Sequence, residues 1–298
     1  MFQELFILFS IIVIICILLK IFMALLPFFF LEQNLLNKYG HGYAVITGGT
    51  DGIGLKITRK LISQRFKVCV VGLKTDKICQ NELPSDSILI EGDLSERHIV
   101  EEVCKWITDK NPSLLINCAG ICIPQIFSTI EKPSKYIDAH ISSLVELTSS
   151  FIKARNRHGG IVFFSSQVAL FSSPYAALYA ATKSFTAQFA DSLSAENPGL
   201  DILCLFPGAV NDTSFFKSFP NHWYFNLIRL IGQKPTTIAS LVFKALGRVR
   251  LLDTGLLTYV TRIATVFVDQ NVINLAGQIV ASSLRSQMEQ KTPRELLL

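Results

Sequence analysis

The chain opens on an unbroken apolar run. From Leu5 to Leu26 it carries one charge, Lys20, and a run of that length can cross a bilayer's hydrocarbon core as one helix. Pro27 predicts the end or a tilt of that helix, and Phe28–Leu31 an interfacial stretch. From residue 43 short β-branched runs alternate with longer amphipathic ones. They predict strands at Tyr43–Thr47, Phe66–Gly72, Ser87–Glu91, Ser113–Asn117, Gly160–Ser165 and Leu200–Phe206, and helices at about 52–65, 95–110, 133–155 and 174–196. The strand runs (VCVV, LLI, IVFF, ILCLF) are continuously apolar, as expected when helices cover both faces of a sheet. Alternation of strand and helix predicts an α/β fold with a doubly wound parallel sheet and right-handed crossovers. Residues 255–285 form an apolar stretch broken by Arg262, Asp269, Gln270 and Asn271. A pair of amphipathic helices, packed on the fold or on a membrane, fits it better than a second span.

Composition locates the excess. The chain is 50% hydrophobic and 17% charged, which excludes disorder; 17 glycines and 11 prolines exclude collagen-like and low-complexity classes. All of the first 31 residues except Gln3, Glu4, Ser10, Lys20 and Pro27 are apolar, so one end carries much of the anomaly. A cleaved signal peptide would need a basic n-region and a small-residue cleavage site; the chain has Glu4 there and no such site. Basic residues near the run (Lys20, Lys38, Lys56, Arg59, Lys60) lie on its carboxyl side, which places the main domain in the cytosol. The net charge of +5 is spread along the chain, so nucleic-acid binding has no support, whereas an anionic leaflet would suit it. Seven cysteines, at 16, 69, 79, 104, 118, 122 and 204, form no zinc pattern and fit a reducing compartment. Histidines 41, 98, 158 and 222 lack partners for metal or triad chemistry, so no metal is expected. The tail Thr292–Leu298 carries no retrieval or lipidation signal.

The candidate chemistry falls at predicted strand ends, where such sheets bind ligands. Thr47-Gly48-Gly49-Thr50-Asp51-Gly52-Ile53-Gly54 follows the first strand and opens the first helix. Its glycines permit a sharp turn and the close approach of a pyrophosphate, and the helix start offers free N–H groups. The second strand ends at Gly72-Leu73-Lys74-Thr75. An NAD site usually has an acidic residue there; Lys74 suits a 2′-phosphate instead and favours NADP, against the alternative of a solvated loop lysine. Asp51 would oppose such a phosphate. Asn117-Cys118-Ala119-Gly120 ends the fourth strand and Ser165-Ser166 the fifth. In Tyr179-Ala180-Ala181-Thr182-Lys183, Tyr179 and Lys183 share one helix face. A phenol with an ordinary pKa of about 10 needs a neighbouring cation to exchange protons near neutrality. Lys183 can supply one, and Ser166 can donate to the same carbonyl oxygen.

With these motifs in this order, the chain resembles a classical short-chain dehydrogenase/reductase over roughly residues 42–250. The family's glycine motif is matched by Gly48, Gly52 and Gly54, its adenine-pocket acidic residue by Asp93, and its NNAG motif by Asn117–Gly120 with Cys118 in second place. Its serine, tyrosine and lysine are matched by Ser166, Tyr179 and Lys183, and its PG motif by Pro207-Gly208, with Val210 beyond. The resemblance implies a single Rossmann-like domain performing hydride transfer between NADP(H) and an alcohol/ketone pair. Tyr179 would exchange the proton, Ser166 polarise the carbonyl, and Lys183 hold the ribose and depress the tyrosine's pKa. Cofactor contacts would come from Gly48, Thr50, Asp51, Gly52, Ile53, Gly54, Lys74, Asp93, Asn117, Ala119, Gly120, Tyr179, Lys183, Pro207, Gly208 and Val210. The expected organisation is an anchor over 1–31, an NADP-binding domain over 40–250 and a helical extension, with membrane association a further reading, over 251–298.

The apolar N-terminus followed by residues 38–54 is similar to 17β-hydroxysteroid dehydrogenases and very-long-chain 3-oxoacyl-CoA reductases. The stretch Ile161–Gln167, with Asn117–Gly120 upstream, also looks like 3-ketodihydrosphingosine reductases. All are membrane-anchored enzymes of lipids, so the implied partners are a lipophilic substrate and a membrane, with a homodimer as candidate assembly and the endoplasmic reticulum as expected location. A non-catalytic nucleotide-binding membrane protein is the alternative from another class. Two departures stand out. His140 occupies the place of the family's helix asparagine, where it either relays protons through water or is a buried, hydrogen-bonded histidine. After Pro207-Gly208 the usual threonine comes one residue late, as Thr213. Phe215, Phe216, Phe219, Trp223, Tyr224 and Phe225 then form an aromatic cluster, readable as an apolar lid, a membrane-facing surface or core.

Overall fold

The computed structural model describes residues 2–290, apart from 74–75, 156–157, 214 and 216–217; Lys74, Phe216 and the tail Thr292–Leu298 therefore lie outside the described residues. Helix α1 (Phe2–Phe29) is a candidate membrane span whose side chains stand clear of the rest of the protein over Phe2–Leu19. It outruns the predicted stretch because Pro27 falls in its last turn, where the bond lost with the missing N–H costs only that turn. A short helix, α2 (Leu35–Tyr39), leads into β1 (Tyr43–Thr47).

Between α1 and α2 the chain is fastened to the domain. The Gln33 side-chain amide donates to the carbonyls of Phe243 at 3.2 Å and Leu246 at 3.1 Å, joining the Gln33 backbone N–H and the Lys38 ammonium in capping the helix that ends there. Glu32 pairs with Lys60 at 2.6 Å and accepts from Ser240. Arg248 donates to the carbonyl of Leu31 at 2.9 Å and covers the Phe30 ring.

The sheet has seven strands in the order β3-β2-β1-β4-β5-β6-β7. After β1 come α3 (Gly52–Ser63), β2 (Lys67–Gly72), β3 (Ile88–Glu91), α4 (Arg97–Lys110) and β4 (Leu114–Asn117). Helices α5 (Pro133–Ile137) and α6 (Ser143–Ala154) then precede β5 (Gly159–Phe164), α7 (Ala177–Glu196) and β6 (Leu200–Pro207). Helices α8 (Trp223–Leu230) and α9 (Pro235–Ala245), strand β7 (Leu251–Thr254), and helices α10 (Leu256–Phe267) and α11 (Gln270–Gln290) complete the described chain. Every pairing is parallel. Alternate strand residues enter two cores: Ala44, Ile46 and Val162 pack under α3 and α9, while Val45, Ile161 and Phe163 pack under α4, α6 and α7. This burial on both faces is why the strand runs are continuously apolar.

The expected doubly wound architecture is present, with three adjustments. Strand β7 pairs with β6, which moves 251–254 out of the expected extension and into the sheet. Its four residues include Asp253, so only the long-range partner identifies it as a strand. The helix expected over 133–155 is interrupted by one π-helical turn, Asp138–Ser142. The helix expected over 174–196 starts at Ala177, because Tyr175 takes a left-handed φ of +63°. The C-terminal stretch is a helix pair, as expected. Leu284 and Met288 of α11 bury against Phe225 of α8, while Leu256, Val260 and Ile263 on α10 and Val272, Leu275 and Ile279 on α11 stay exposed.

Candidate active site

Strands β1 and β4 are neighbours from which the chain departs to opposite sides, so a crevice opens beyond their carboxyl ends. The glycine loop fills its floor. Gly48 has φ +65°, and a Cβ on it would lie 2.8 Å from the Ala119 Cα; one on Gly54 would lie 2.1 Å from the Gly48 carbonyl oxygen. Position 54 therefore demands glycine for sterics, and position 48 for both sterics and backbone conformation. Thr47, just before the loop, joins its two sides: its Oγ1 accepts from the N–H groups of Cys118 and Ala119, both at 3.2 Å. Asn117 is buried and donates to Thr148 at 3.3 Å. Thr50 is buried beneath the loop against Gly72. The opening turn of α3 thus faces the crevice with Gly52 at φ +50°, a cradle that suits a phosphate group.

Two carboxylates at this rim are already matched. Asp51 pairs with Lys77, a residue the sequence reading passed over. Asp93, beyond β3, accepts from the Ser95 N–H at 2.8 Å and pairs with Lys135 at 3.2 Å. Burial pushes its pKa up, but the Ser95 bonds and Lys135 outweigh that and hold it below the usual value. Thr213 bends back toward the glycine loop: a Cβ on Gly52 would sit 3.0 Å from its methyl carbon. Val210 is buried and bridges to Gln233. Gly208 is packed beside Thr258 and Gln167, and Gln167 donates to Thr261 at 2.7 Å.

Ser166, Tyr179 and Lys183 converge at the ends of β5 and α7. Ser165 Oγ donates to the Lys183 carbonyl at 2.7 Å, locking helix to strand. Ser166 hydrogen-bonds the Tyr179 hydroxyl and accepts from the Val168 N–H at 3.4 Å. The Lys183 ammonium lies 5.5 Å from the Tyr179 ring centre and donates to the Phe164 carbonyl at 2.8 Å. A Cβ on Gly120 would stand 3.0 Å from that nitrogen, so Gly120 leaves the ammonium its room. Burial brings the Lys183 pKa down to about 8. The tyrosine differs from the expectation that Lys183 depresses its pKa. Burial pushes the Tyr179 phenol well above its ordinary value, because the ammonium is turned to a carbonyl rather than to the hydroxyl. As arranged, the site holds a protonated phenol ready to donate, a serine hydroxyl beside it and a cation behind it.

His140 lies in the π turn, buried, with Nδ1 at 2.9 Å from the Tyr136 carbonyl and Nε2 at 3.0 Å from the Ile121 nitrogen. Burial lowers its pKa to about 4. Both ring nitrogens are committed to backbone, the arrangement of the hydrogen-bonded histidine rather than of a free relay.

In front of Tyr179 lies a cleft of about 240 Å³, walled by Ile123, Ile126, Phe127, Ile130, Tyr136 and Leu178, with Gln125 and Tyr175 at its edge. The expected aromatic cluster divides. Phe215 packs 5.7 Å from the Tyr179 ring and 5.4 Å from Phe219; Phe225 is core under α11, and Trp223 is exposed. Sequence reasoning missed Lys77 and Tyr136, the bonds by which Thr47 ties the loop to Cys118 and Ala119, and the seat of α11 on α8. Tyr136 carried one available signal, its helical spacing of four before His140.

Comparison with known proteins agrees with this geometry. The profile of the short chain dehydrogenase family matches residues 42–222. An NADP-dependent 3-hydroxy acid dehydrogenase of Escherichia coli is 29% identical over 184 residues, covering 57% of this chain and 73% of that protein. A very-long-chain 3-oxoacyl-CoA reductase of Anas platyrhynchos is 24% identical over 232 residues, 69% of this chain and 73% of its own. Among solved structures, a 7beta-hydroxysteroid dehydrogenase superposes with a TM-score of 0.71 at 18% identity, over 83% of this chain and 100% of the other; this similarity concerns the fold.

Proposed function

Because this chain belongs to the short chain dehydrogenase family, and is thus an oxidoreductase acting on alcohol/ketone pairs, we propose that it is an NADP(H)-dependent, membrane-anchored reductase of lipophilic ketones. The observation that carries this reading is the placement of Tyr179 in the lining of a largely apolar cleft, with Ser166 and Lys183 beside it. Such walls suit an acyl chain or sterol better than a polar metabolite. A 3-oxoacyl or steroid ketone leads among substrates, in line with the reductase relative. A cytosolic domain held at the endoplasmic reticulum membrane by α1 follows from the charge pattern and the resemblance.

The crevice fits a dinucleotide: positive-φ glycines and a helix start meet where a Cβ would fill the space. Bound NADPH would supply the hydride. Gly48, Gly52 and Gly54 would receive the pyrophosphate and Asp93 the adenine end. Lys183 would hold the nicotinamide ribose. NADP over NAD is supported by the NADP-dependent relative and by Lys77, whose ammonium already offsets the Asp51 carboxylate that would oppose a 2′-phosphate. During reduction the Tyr179 hydroxyl would donate its proton to the nascent alkoxide while Ser166 holds the same oxygen. The Lys183 ammonium would stabilise the phenolate left behind.

The full-length protein with NADPH should reduce 3-oxoacyl, steroid or sphingoid ketones, followed by cofactor absorbance. Tyr179→Phe should lower turnover by at least about 10²–10⁴-fold and leave NADPH binding intact. Tight NADPH binding without turnover across such a panel would instead favour a non-catalytic, nucleotide-sensing protein.

A further inference from the structure

The strand end carrying Asn117–Gly120 continues through Ile121 to Ile123 in the wall of the cleft. Ile121 is held by two side chains from one short helical stretch. His140 Nε2 lies 3.0 Å from its nitrogen and 3.2 Å from its carbonyl oxygen. The Tyr136 hydroxyl donates to that same carbonyl at 2.5 Å. The two rings stack, with centres 4.2 Å apart and planes 13° from parallel.

The proton inventory of these atoms is closed. The Tyr136 carbonyl can only accept, so His140 Nδ1, 2.9 Å away, carries the imidazole's one proton. Nε2 is therefore bare and accepts from the Ile121 N–H. It has nothing to give the Ile121 carbonyl oxygen beside it, and two lone pairs face each other there. An asparagine, the residue type the family pattern places here, has a donor and an acceptor side by side and could serve both groups of Ile121 at once. Imidazole cannot. The π turn at Asp138–Ser142 brings in the missing donor by setting Tyr136 over the histidine.

We propose that Tyr136 and His140 together replace a single carboxamide: His140 takes the N–H of Ile121 and Tyr136 supplies its carbonyl with a proton. Tyr136 is thus a positioning residue. It acts through Ile121 on the wall between cofactor and substrate, and its ring also lines the cleft. The two positions are coupled, and the hydroxyl is needed only while residue 140 is histidine.

A four-variant cycle on the full-length, detergent-solubilised protein tests this, comparing wild type, Tyr136→Phe, His140→Asn and the double variant. Tyr136→Phe alone strands a part-buried acceptor and should lower the unfolding midpoint by roughly 2–10 °C. The same change in the His140→Asn background should move it by less than about 1 °C. Ketone turnover with NADPH should follow the same pattern, falling several-fold in the single Tyr136→Phe variant and recovering in the double. A direct contact of the hydroxyl with substrate would lower turnover equally in both backgrounds. Equal losses of midpoint in both backgrounds, or failure of His140→Asn to fold, would overturn the proposal. The activity measurement rests on the reductase reading and the thermal one does not. Absence of turnover with an intact thermal cycle would therefore count against that reading alone.

Discussion

The nucleotide-facing and ketone-facing halves of the crevice are built on opposite principles. On the nucleotide side single atoms decide: a Cβ on Gly54 would come within 2.1 Å of the Gly48 carbonyl oxygen, and one on Gly48 within 2.8 Å of the Ala119 Cα. On the ketone side Ile123, Ile126, Phe127 and Leu178 wall the cleft, and α11 roofs the neighbouring helix through Leu284 and Met288. Apolar contacts of that kind tolerate exchange between side chains of similar volume. One half can bind a single class of ligand, and the other can drift between substrates without losing the fold.

The sharpest way to break this contrast is Gly54→Ala. Its methyl must displace backbone, so NADPH affinity should fall about 10–100-fold, read by fluorescence titration. Affinity within twofold of wild type would show that the loop is not the cofactor's cradle. A smaller effect comes from the group shared by both halves. With its pKa lowered to about 8, Lys183 is charged below that pH and neutral above it. Ketone reduction should therefore fall about tenfold per pH unit above 8, as support for the phenolate disappears. Stability should move the other way. Between pH 8 and the ordinary lysine pKa of about 10.5 the unfolded chain binds a proton that the folded one does not, so ΔG of unfolding rises with pH in that window. Parallel pH profiles of kcat/KM and of unfolding midpoint separate the two effects; a rate that stays flat to pH 10 would remove Lys183 from the proton chemistry. The smallest effect belongs to the apolar half. Leu284→Ala should raise the ketone KM a few-fold and lower the unfolding midpoint, while leaving the NADPH dissociation constant unchanged. Equal losses on both ligands would mean that the two halves are not independent.

The same contrast governs what could be read from the sequence. Six strands, the glycine loop and the Ser166, Tyr179 and Lys183 positions were legible because each depends on local pattern: β-branched runs, invariant steric demands, helical spacing. Strand β7 was not, since Leu251–Thr254 becomes a strand only through β6. The π turn was hidden because no local pattern marks it, and the contacts of Tyr136 and His140 there are with Ile121, fifteen and nineteen residues away along the chain. Lys77 was not singled out, because motif spacing points to a position in the chain and not to where a side chain reaches, here to Asp51. Apolar residues at 215–225 could not be divided into core and surface, since α8 buries Phe225 and exposes Trp223 on opposite faces of the same turn.

The fastening of residues 31–33 has a mechanical meaning. Gln33 grips the end of α9, Glu32 is clamped by Lys60 and Ser240, and Arg248 holds the carbonyl of Leu31. A flexible tether would let the catalytic domain swing and present its cleft in any direction. Here α1 meets the domain through a bracket. Where α1 crosses a bilayer, the tilt of one helix sets both the height and the aim of the cleft. An enzyme so mounted would work at a fixed station above the membrane surface, and would select its substrates by how far they reach out of the lipid as well as by shape.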